Sequence, residues 1–180
     1  RNHETVDRAV HLTSEAPVEF RNKTVWVTGA SSGIGEALAK GLAERGARLI
    51  LSGRRVEALQ RVAKSLDAET LVLPFEATDY EALPAVVAKA QAWKGGVDLL
   101  INNAGVSQRS LALDTTFDVY RTLMEVDFFA PLRLTQLVLP GMVEKKSGAI
   151  AVVSSVAGKV GAPIRTGYCA AKHAVVGYFE

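Results

Sequence analysis

A β-branched and aromatic run, Thr24-Val25-Trp26-Val27, leads directly into Thr28-Gly29-Ala30-Ser31-Ser32-Gly33-Ile34-Gly35, after which apolar residues recur at helical spacing. This strand–glycine loop–helix junction limits the possible folds more than any other feature of the chain. Glycines 29, 33 and 35 form a G-x-x-x-G-x-G pattern. A Cβ at such positions would keep an anion away from the free N–H groups and the positive dipole end of the following helix. The glycines alone also fit an ordinary tight turn. The strand before, the helix after and the two hydroxyls of Ser31 and Ser32 between them favour a phosphate loop. No G-K-[ST] follows, so the junction is not a Walker loop.

Ile34, Leu38, Gly41, Leu42 and Arg45 keep three- and four-residue spacing, and Gly46 ends the helix. The chain then alternates. Strands are predicted over 47–52, 70–75, 97–101 and 149–154. Helices are predicted over 55–66, over 80–93 with Asp79 as N-cap, over 116–144 with an interruption near Asp127 and Pro131, and over 167–180. Near-continuous apolar strands, each followed by a helix, predict an α/β fold with a parallel sheet covered on both faces. Right-handed crossovers make it doubly wound, a Rossmann fold. The strand order 3-2-1-4-5-6 needs six strands and the pattern offers five, so a C-terminally incomplete sheet is expected. The alternative is a sixth strand supplied from elsewhere. Residues 1–20 are polar and aperiodic and read as an arm ahead of a domain over 21–180; a short helix over Val6 to Leu12 is the other reading.

Composition narrows the function classes. The 180 residues are 48% hydrophobic and 22% charged, which excludes general disorder. Lys plus Arg number 21 against 19 Asp plus Glu, too balanced for a nucleic-acid or anionic-membrane surface. Cys169 is the single cysteine, which excludes an intrachain disulfide and a CxxC metal site and points to a reducing, cytoplasmic setting. No apolar run approaches a membrane span, and the opening residues have no signal-peptide core. His3 and His11 lie in the arm without a third ligand, so no metal is expected.

Two further patterns carry chemistry. At the end of the second strand an acid would bind a ribose 2′-hydroxyl, but the chain has Ser52-Gly53-Arg54-Arg55. Arg54 is therefore predicted to receive a 2′-phosphate. A charge-assisted hydrogen bond of about 1.5–3 kcal/mol would favour NADP over NAD. Both arginines also fit solvated residues at a helix start. Tyr168 and Lys172, four apart, share one helix face. An ammonium about 4 Å from a phenol would favour its ionised form by roughly 4 kcal/mol. Such pairs arise by chance on many helices; the position after the fifth strand makes this one informative. Ser155, just past that strand, could donate a hydrogen bond to a carbonyl oxygen. Gln108, Arg109 and Ser110 follow the fourth strand and fit either a substrate loop or a plain connection. Cys169, His173, Trp26 and Trp93 read as packing or surface residues.

TGASSGIG at 28–35, NNAG at 102–105, Ser155 and Tyr168-Cys169-Ala170-Ala171-Lys172, in that order, resemble the short-chain dehydrogenase/reductase family over about residues 23–180. NNAGVSQRSL and DTTFDVYR further resemble the member 7 branch of that family. The resemblance implies that Tyr168 is the general acid–base group, that Lys172 assists it and binds the nicotinamide ribose, and that Ser155 polarises the substrate carbonyl. It places Gly29, Ser31, Ser32, Gly33, Ile34 and Gly35 around the cofactor phosphates and ribose. Arg54 would meet the 2′-phosphate, and Asn103, Ala104 and Gly105 the adenosine side. Two departures stand out. Asp127 occupies the position of a usual Asn in the proton relay, and Glu76 that of a usual Asp on the adenine. The expected function is NADP-dependent hydride transfer on a small carbonyl or secondary alcohol, within a homo-oligomer built through the long helix and the Tyr168 helix. The alternative is an NADP(H)-binding protein without catalysis.

Overall fold

Five parallel strands form one sheet in the order β3-β2-β1-β4-β5. They are β1 (Thr24–Thr28), β2 (Arg48–Ser52), β3 (Thr70–Val72), β4 (Leu99–Asn102) and β5 (Ala149–Val152). The computed structural model describes residues 20–180. The predicted arm over 1–20, its alternative helix and its two histidines lie outside the described residues, apart from Phe20, which packs against the core. The helices are α1 (Gly33–Ala43), α2 (Val56–Lys64), α3 (Leu83–Ala92), α4 (Phe117–Met124), α5 (Ala130–Glu144) and α6 (Thr166–Phe179).

Alternation along the strands feeds two cores, as a doubly wound sheet requires. Val25, Val27, Leu49, Leu51 and Ile101 face α1 and α2, meeting Ala39, Leu42, Leu59 and Val62. Trp26, Ile50 and Leu100 face the other way, against Val87 and Ala90 of α3 and Leu134, Val138 and Met142 of α5. Trp26 is fully buried, and its indole Nε1 donates to Ser52 Oγ at 2.8 Å, which in turn donates to the Leu73 carbonyl. Trp93 packs against the same core, so both tryptophans are packing residues as read.

Several predicted boundaries move for local reasons. β3 stops at Val72 rather than 75, just ahead of Pro74, which has no N–H for the ladder. α3 starts at Leu83 rather than 80, because Asp79 caps a preceding turn: its Oδ1 accepts from the Ala82 N–H. The interruption expected near Asp127 is a π-turn, Glu125–Phe129, between α4 and α5, and the chain stays helical through it. A proline ring collides with the carbonyl four residues earlier, which for Pro131 is Asp127. Widening the turn relieves that contact, and the Ala130 N–H bonds back five residues to Glu125. β5 is an edge strand in this sheet, paired with β4 alone.

Candidate active site

At the carboxyl ends of the strands, beside the point where strand order reverses between β1 and β4, lies a cleft of about 480 Å³. This is where doubly wound sheets bind ligands. The β1–α1 loop forms one wall. Gly33 has φ +58 and open space where a Cβ would stand, so its backbone conformation, not crowding, calls for glycine. Gly35 is the opposite case: a Cβ there would lie 2.3 Å from the Gly29 carbonyl oxygen. Close approach of α1 to β1 thus depends on its absence. Ser32 stands at the N-cap of α1, yet its side chain makes no bond to the free N–H groups of the helix. Ser31 and Ser32 instead accept hydrogen bonds from Arg55 Nη2, at 3.1 and 2.8 Å.

The remaining predicted cofactor residues gather on the same cleft. Ile34, which helical spacing grouped with Leu38 and Leu42, is 62% exposed and lines the cleft rather than the core. Arg54 and Glu76 both line it and face each other at 3.7 Å across an exposed edge. Asn103 turns its amide inward, donating to the Thr28 and Gly29 carbonyls at 2.9 and 3.4 Å. Thr28 Oγ1 accepts the Asn103 and Ala104 N–H groups, both at 3.0 Å. Asn103 therefore locks β4 to the glycine loop, while Ala104 and Gly105 line the cleft beside it.

The other predicted group sits behind this wall. Lys172, on α6, is buried and donates to the Val153 carbonyl at 3.2 Å. Its Nζ lies 3.9 Å from Asp127 Oδ2. Asp127, in the π-turn, is buried; its Oδ1 accepts the Val106 N–H at 2.7 Å and its Oδ2 has no hydrogen-bond partner. Burial pushes the Asp127 carboxyl up from its ordinary value, against the Val106 N–H and the Lys172 charge. Burial likewise pulls the Lys172 ammonium down, partly offset by Asp127. Tyr168 lies one turn before Lys172, whose Nζ is 5.7 Å from the phenol ring centroid. Ser155 Oγ accepts the Ala157 N–H at 3.1 Å, starting a short turn after β5. Ser155, Tyr168 and Lys172 do not line the cleft themselves; Gly105 joins the two groups. A Cβ on that cleft residue would lie 3.1 Å from Asp127 Oδ1 and 3.6 Å from Lys172 Nζ.

The comparisons with known proteins agree with this geometry. Residues 23–180 match the short chain dehydrogenase family. The chain belongs to that family. It is 45% identical over 169 residues to human dehydrogenase/reductase SDR family member 7, covering 90% of this chain and 50% of that protein. It is 41% identical over 168 residues to mouse member 7B, covering 89% of this chain and 52% of that one. The chain thus spans about half the length of the curated relatives it matches. Among solved structures, an actinorhodin polyketide ketoreductase variant with NADPH superposes with a TM-score of 0.80 at 29% identity, covering 87% of this chain and 62% of that one.

For this dehydrogenase-family chain several cleft residues, Val106 and Val126 among them, were not singled out in the sequence, and Arg55 is the one with a distinct contact. Arg55, which the sequence left as a helix-start residue beside Arg54, is the one that bonds Ser31 and Ser32 of the glycine-rich loop. Arg54 and Arg55 are both exposed and both line the cleft, Arg54 facing Glu76 and Arg55 the two serines. His173 is spoken for, its Nδ1 lying 2.8 Å from the Cys169 carbonyl on the preceding turn, and Cys169 Sγ accepts the Ala162 N–H. Among the described residues no cluster of His, Cys, Asp and Glu could hold a metal, and no helix is long and apolar enough to cross a membrane.

Proposed function

We propose that this chain binds NADP(H) and carries the proton-transfer residues of an oxidoreductase acting on a carbonyl or secondary alcohol. The single observation behind the reading is Gly105, a cleft residue whose missing side chain leaves the cleft wall in contact with the buried Lys172–Asp127 pair. Cofactor cleft and proton-transfer group are thereby adjacent.

The residues present fit a nicotinamide dinucleotide phosphate. The uncapped start of α1 and the open space at Gly33 suit the pyrophosphate. Arg54 and Arg55, with no acid at the end of β2, suit a 2′-phosphate. Exposed Ile34 offers an apolar shelf beside the phosphates. When bound, the cofactor supplies or takes up the hydride. Tyr168 hands its hydroxyl proton to the carbonyl oxygen in reduction and takes the alcohol proton in oxidation. Lys172, tethered to Val153, holds positive charge beside the phenol and would hold the ribose hydroxyls of the bound cofactor. Ser155 donates to the carbonyl oxygen and polarises it. Substrate, reduced cofactor and one proton yield alcohol and oxidised cofactor.

The test is turnover of a panel of small ketones with NADPH by the wild type and Tyr168→Phe. The variant should lose about 10²–10⁴-fold in kcat while binding NADPH as before, the range typical of a lost acid–base group. Unchanged turnover would refute the assignment. One observation favours a second reading, an NADP(H)-binding protein without catalysis: the Asp127 carboxylate 3.9 Å from Lys172 counters the charge the phenol would feel. NADPH binding without turnover of any ketone, in wild type and Asp127→Asn alike, would establish that reading. A homo-oligomer through α4, α5 and α6 belongs to the same proposal, and sedimentation would report it.

A further inference from the structure

One cation beside Tyr168 has no task in the scheme above. Arg165 immediately precedes α6, and its guanidinium carbon lies 5.7 Å from the Tyr168 ring centroid, as far as Lys172 Nζ does on its own side. The two cations are held differently. Lys172 is buried against Asp127. Arg165 is half-buried and, among the described residues, forms no ion pair. Its Nη1 donates to Ser107 Oγ at 2.6 Å. That neutral partner fixes the guanidinium without compensating its charge, and uses one of its five N–H donors.

The backbone around Arg165 is unusual too. Ile164 has φ +55, a conformation disfavoured for a β-branched residue. It is held there by the Ser110 N–H, which donates to the Ile164 carbonyl at 3.0 Å. Strain maintained by specific contacts is a pointer to function. Ser107 and Ser110 belong to the loop after β4. Buried Gln108 braces that loop, donating to the Ser110 carbonyl and to Thr115 Oγ1 at 2.9 and 3.2 Å. Two bonds therefore join the β4–α4 loop to the segment before α6, on the side from which Arg165 approaches Tyr168. The charged residues of that loop, Arg109 and Asp114, are both exposed and opposite in sign, so the loop brings no surplus negative charge.

A half-buried guanidinium with free donors, oriented by a neutral partner and unpaired, is a receptor for a planar anion. We infer that Arg165, positioned by Ser107, binds a carboxylate on the substrate, so that the site prefers oxo acids and hydroxy acids to neutral carbonyl compounds. The inference rests on the reading of Tyr168 as the acid–base group, since the substrate must reach both.

The test compares matched pairs, 4-acetylbenzoate with 4-acetylbenzamide and 4-oxopentanoate with its amide, on the NADPH-loaded chain. Binding is read by ligand-detected NMR and reduction by NADPH consumption. The wild type should bind each acid about tenfold tighter than its amide, the preference shrinking as salt screens it. Arg165→Met should bring the ratio near one with NADPH affinity unchanged, and Arg165→Lys should restore part of it. Equal binding of acid and amide by the wild type, or a preference that survives in Arg165→Met, overturns the inference. If Arg165→Met does not fold, a preference in the wild type that Arg165→Lys leaves wholly intact and salt does not weaken overturns it as well. Acid preference without reduction of any ketone would leave the role of Arg165 standing and refute the role of Tyr168.

Discussion

β1 is buried at all five positions and flanked by strands on both sides, whereas β5 pairs with β4 alone and alternates exposed and half-buried residues. The glycine-rich loop grows from the first; Ser155 and the segment leading to α6 grow from the second. The contrast extends to how each half is held. Around β1 side chains such as Asn103 and Arg55 brace the loop, but its closest contact is backbone meeting backbone, where α1 touches the Gly29 carbonyl at Gly35. Around β5 the geometry is set by side chains reaching between elements: Lys172 to Val153, Asp127 to Val106, Arg165 to Ser107. A site held by backbone packing tolerates almost no change at its contact points. A site held by side chains can be retuned one residue at a time.

Substitutions can break or sharpen this contrast. The largest effect belongs to Gly35→Ala, where the new Cβ would stand 2.3 Å from backbone that cannot swing away. Overpacking of this kind costs about 3 kcal/mol, and thermal unfolding should show a fall of roughly 10 °C. A melt unchanged within a degree would mean that α1 can shift, and the contrast would fail. Next comes Arg55→Met. Loss of a charge-assisted bond worth about 1.5–3 kcal/mol should weaken NADPH binding by roughly 10- to 150-fold and leave NADH binding alone. Equal weakening of both cofactors would assign Arg55 to the loop's structure instead. Gly33→Ala is a milder probe than Gly35→Ala. No atom lies within 4 Å of the new Cβ, so only the φ of +58 opposes it, at about 1–2 kcal/mol. Its stability loss should be visibly smaller than that of Gly35→Ala while NADPH affinity still drops.

The smallest effect is a slope. Burial raises the Asp127 pKa, so the folded state holds its proton over pH values at which the unfolded chain, with an ordinary carboxyl near about 4, has released it. Stability from this group is therefore present at low pH and is lost as pH rises through the raised folded value. Asp127→Asn removes that loss. Relative to the variant, the wild type should become progressively less stable from about pH 4 toward neutrality, as denaturant melts across that range would record. A difference of the opposite sign would mean the Lys172 charge outweighs burial. Turnover in Asp127→Asn should equal or exceed the wild type, and a large loss would show that the carboxylate has a task of its own.

Most of the fold was readable because each strand carries its burial on its face. Val25 and Val27 alternate with Trp26 about one strand, and the two sets do separate into the two cores. Glycine spacing between a strand and a helix located the loop that forms one wall of the cleft, where Gly33 needs its positive φ and Gly35 its missing Cβ. Legibility fell where a side chain's direction depends on a partner distant in sequence. Periodicity alone groups Ile34 with Leu38 and Leu42 and does not show that, at the first turn of α1, it opens on the cleft. Asn103 had the residue type of a ligand contact, yet the strand it follows turns its amide onto the glycine loop. Arg55 and Arg165 could not be told from surface arginines, because Ser31, Ser32 and Ser107 that receive them are 24, 23 and 58 residues away. The π-turn was half visible: Pro131 announced a disturbance, and its wide form depends on the carbonyl at Asp127.

The cofactor cleft is the centre of the account, and a side-by-side titration of the chain with NADPH and NADH, followed by nicotinamide fluorescence, tests it most directly. Arg54 and Arg55 at the rim predict NADPH binding at least about tenfold tighter than NADH. Equal affinities, or tighter NADH, would contradict the assignment of those arginines and with it the reading of the cleft.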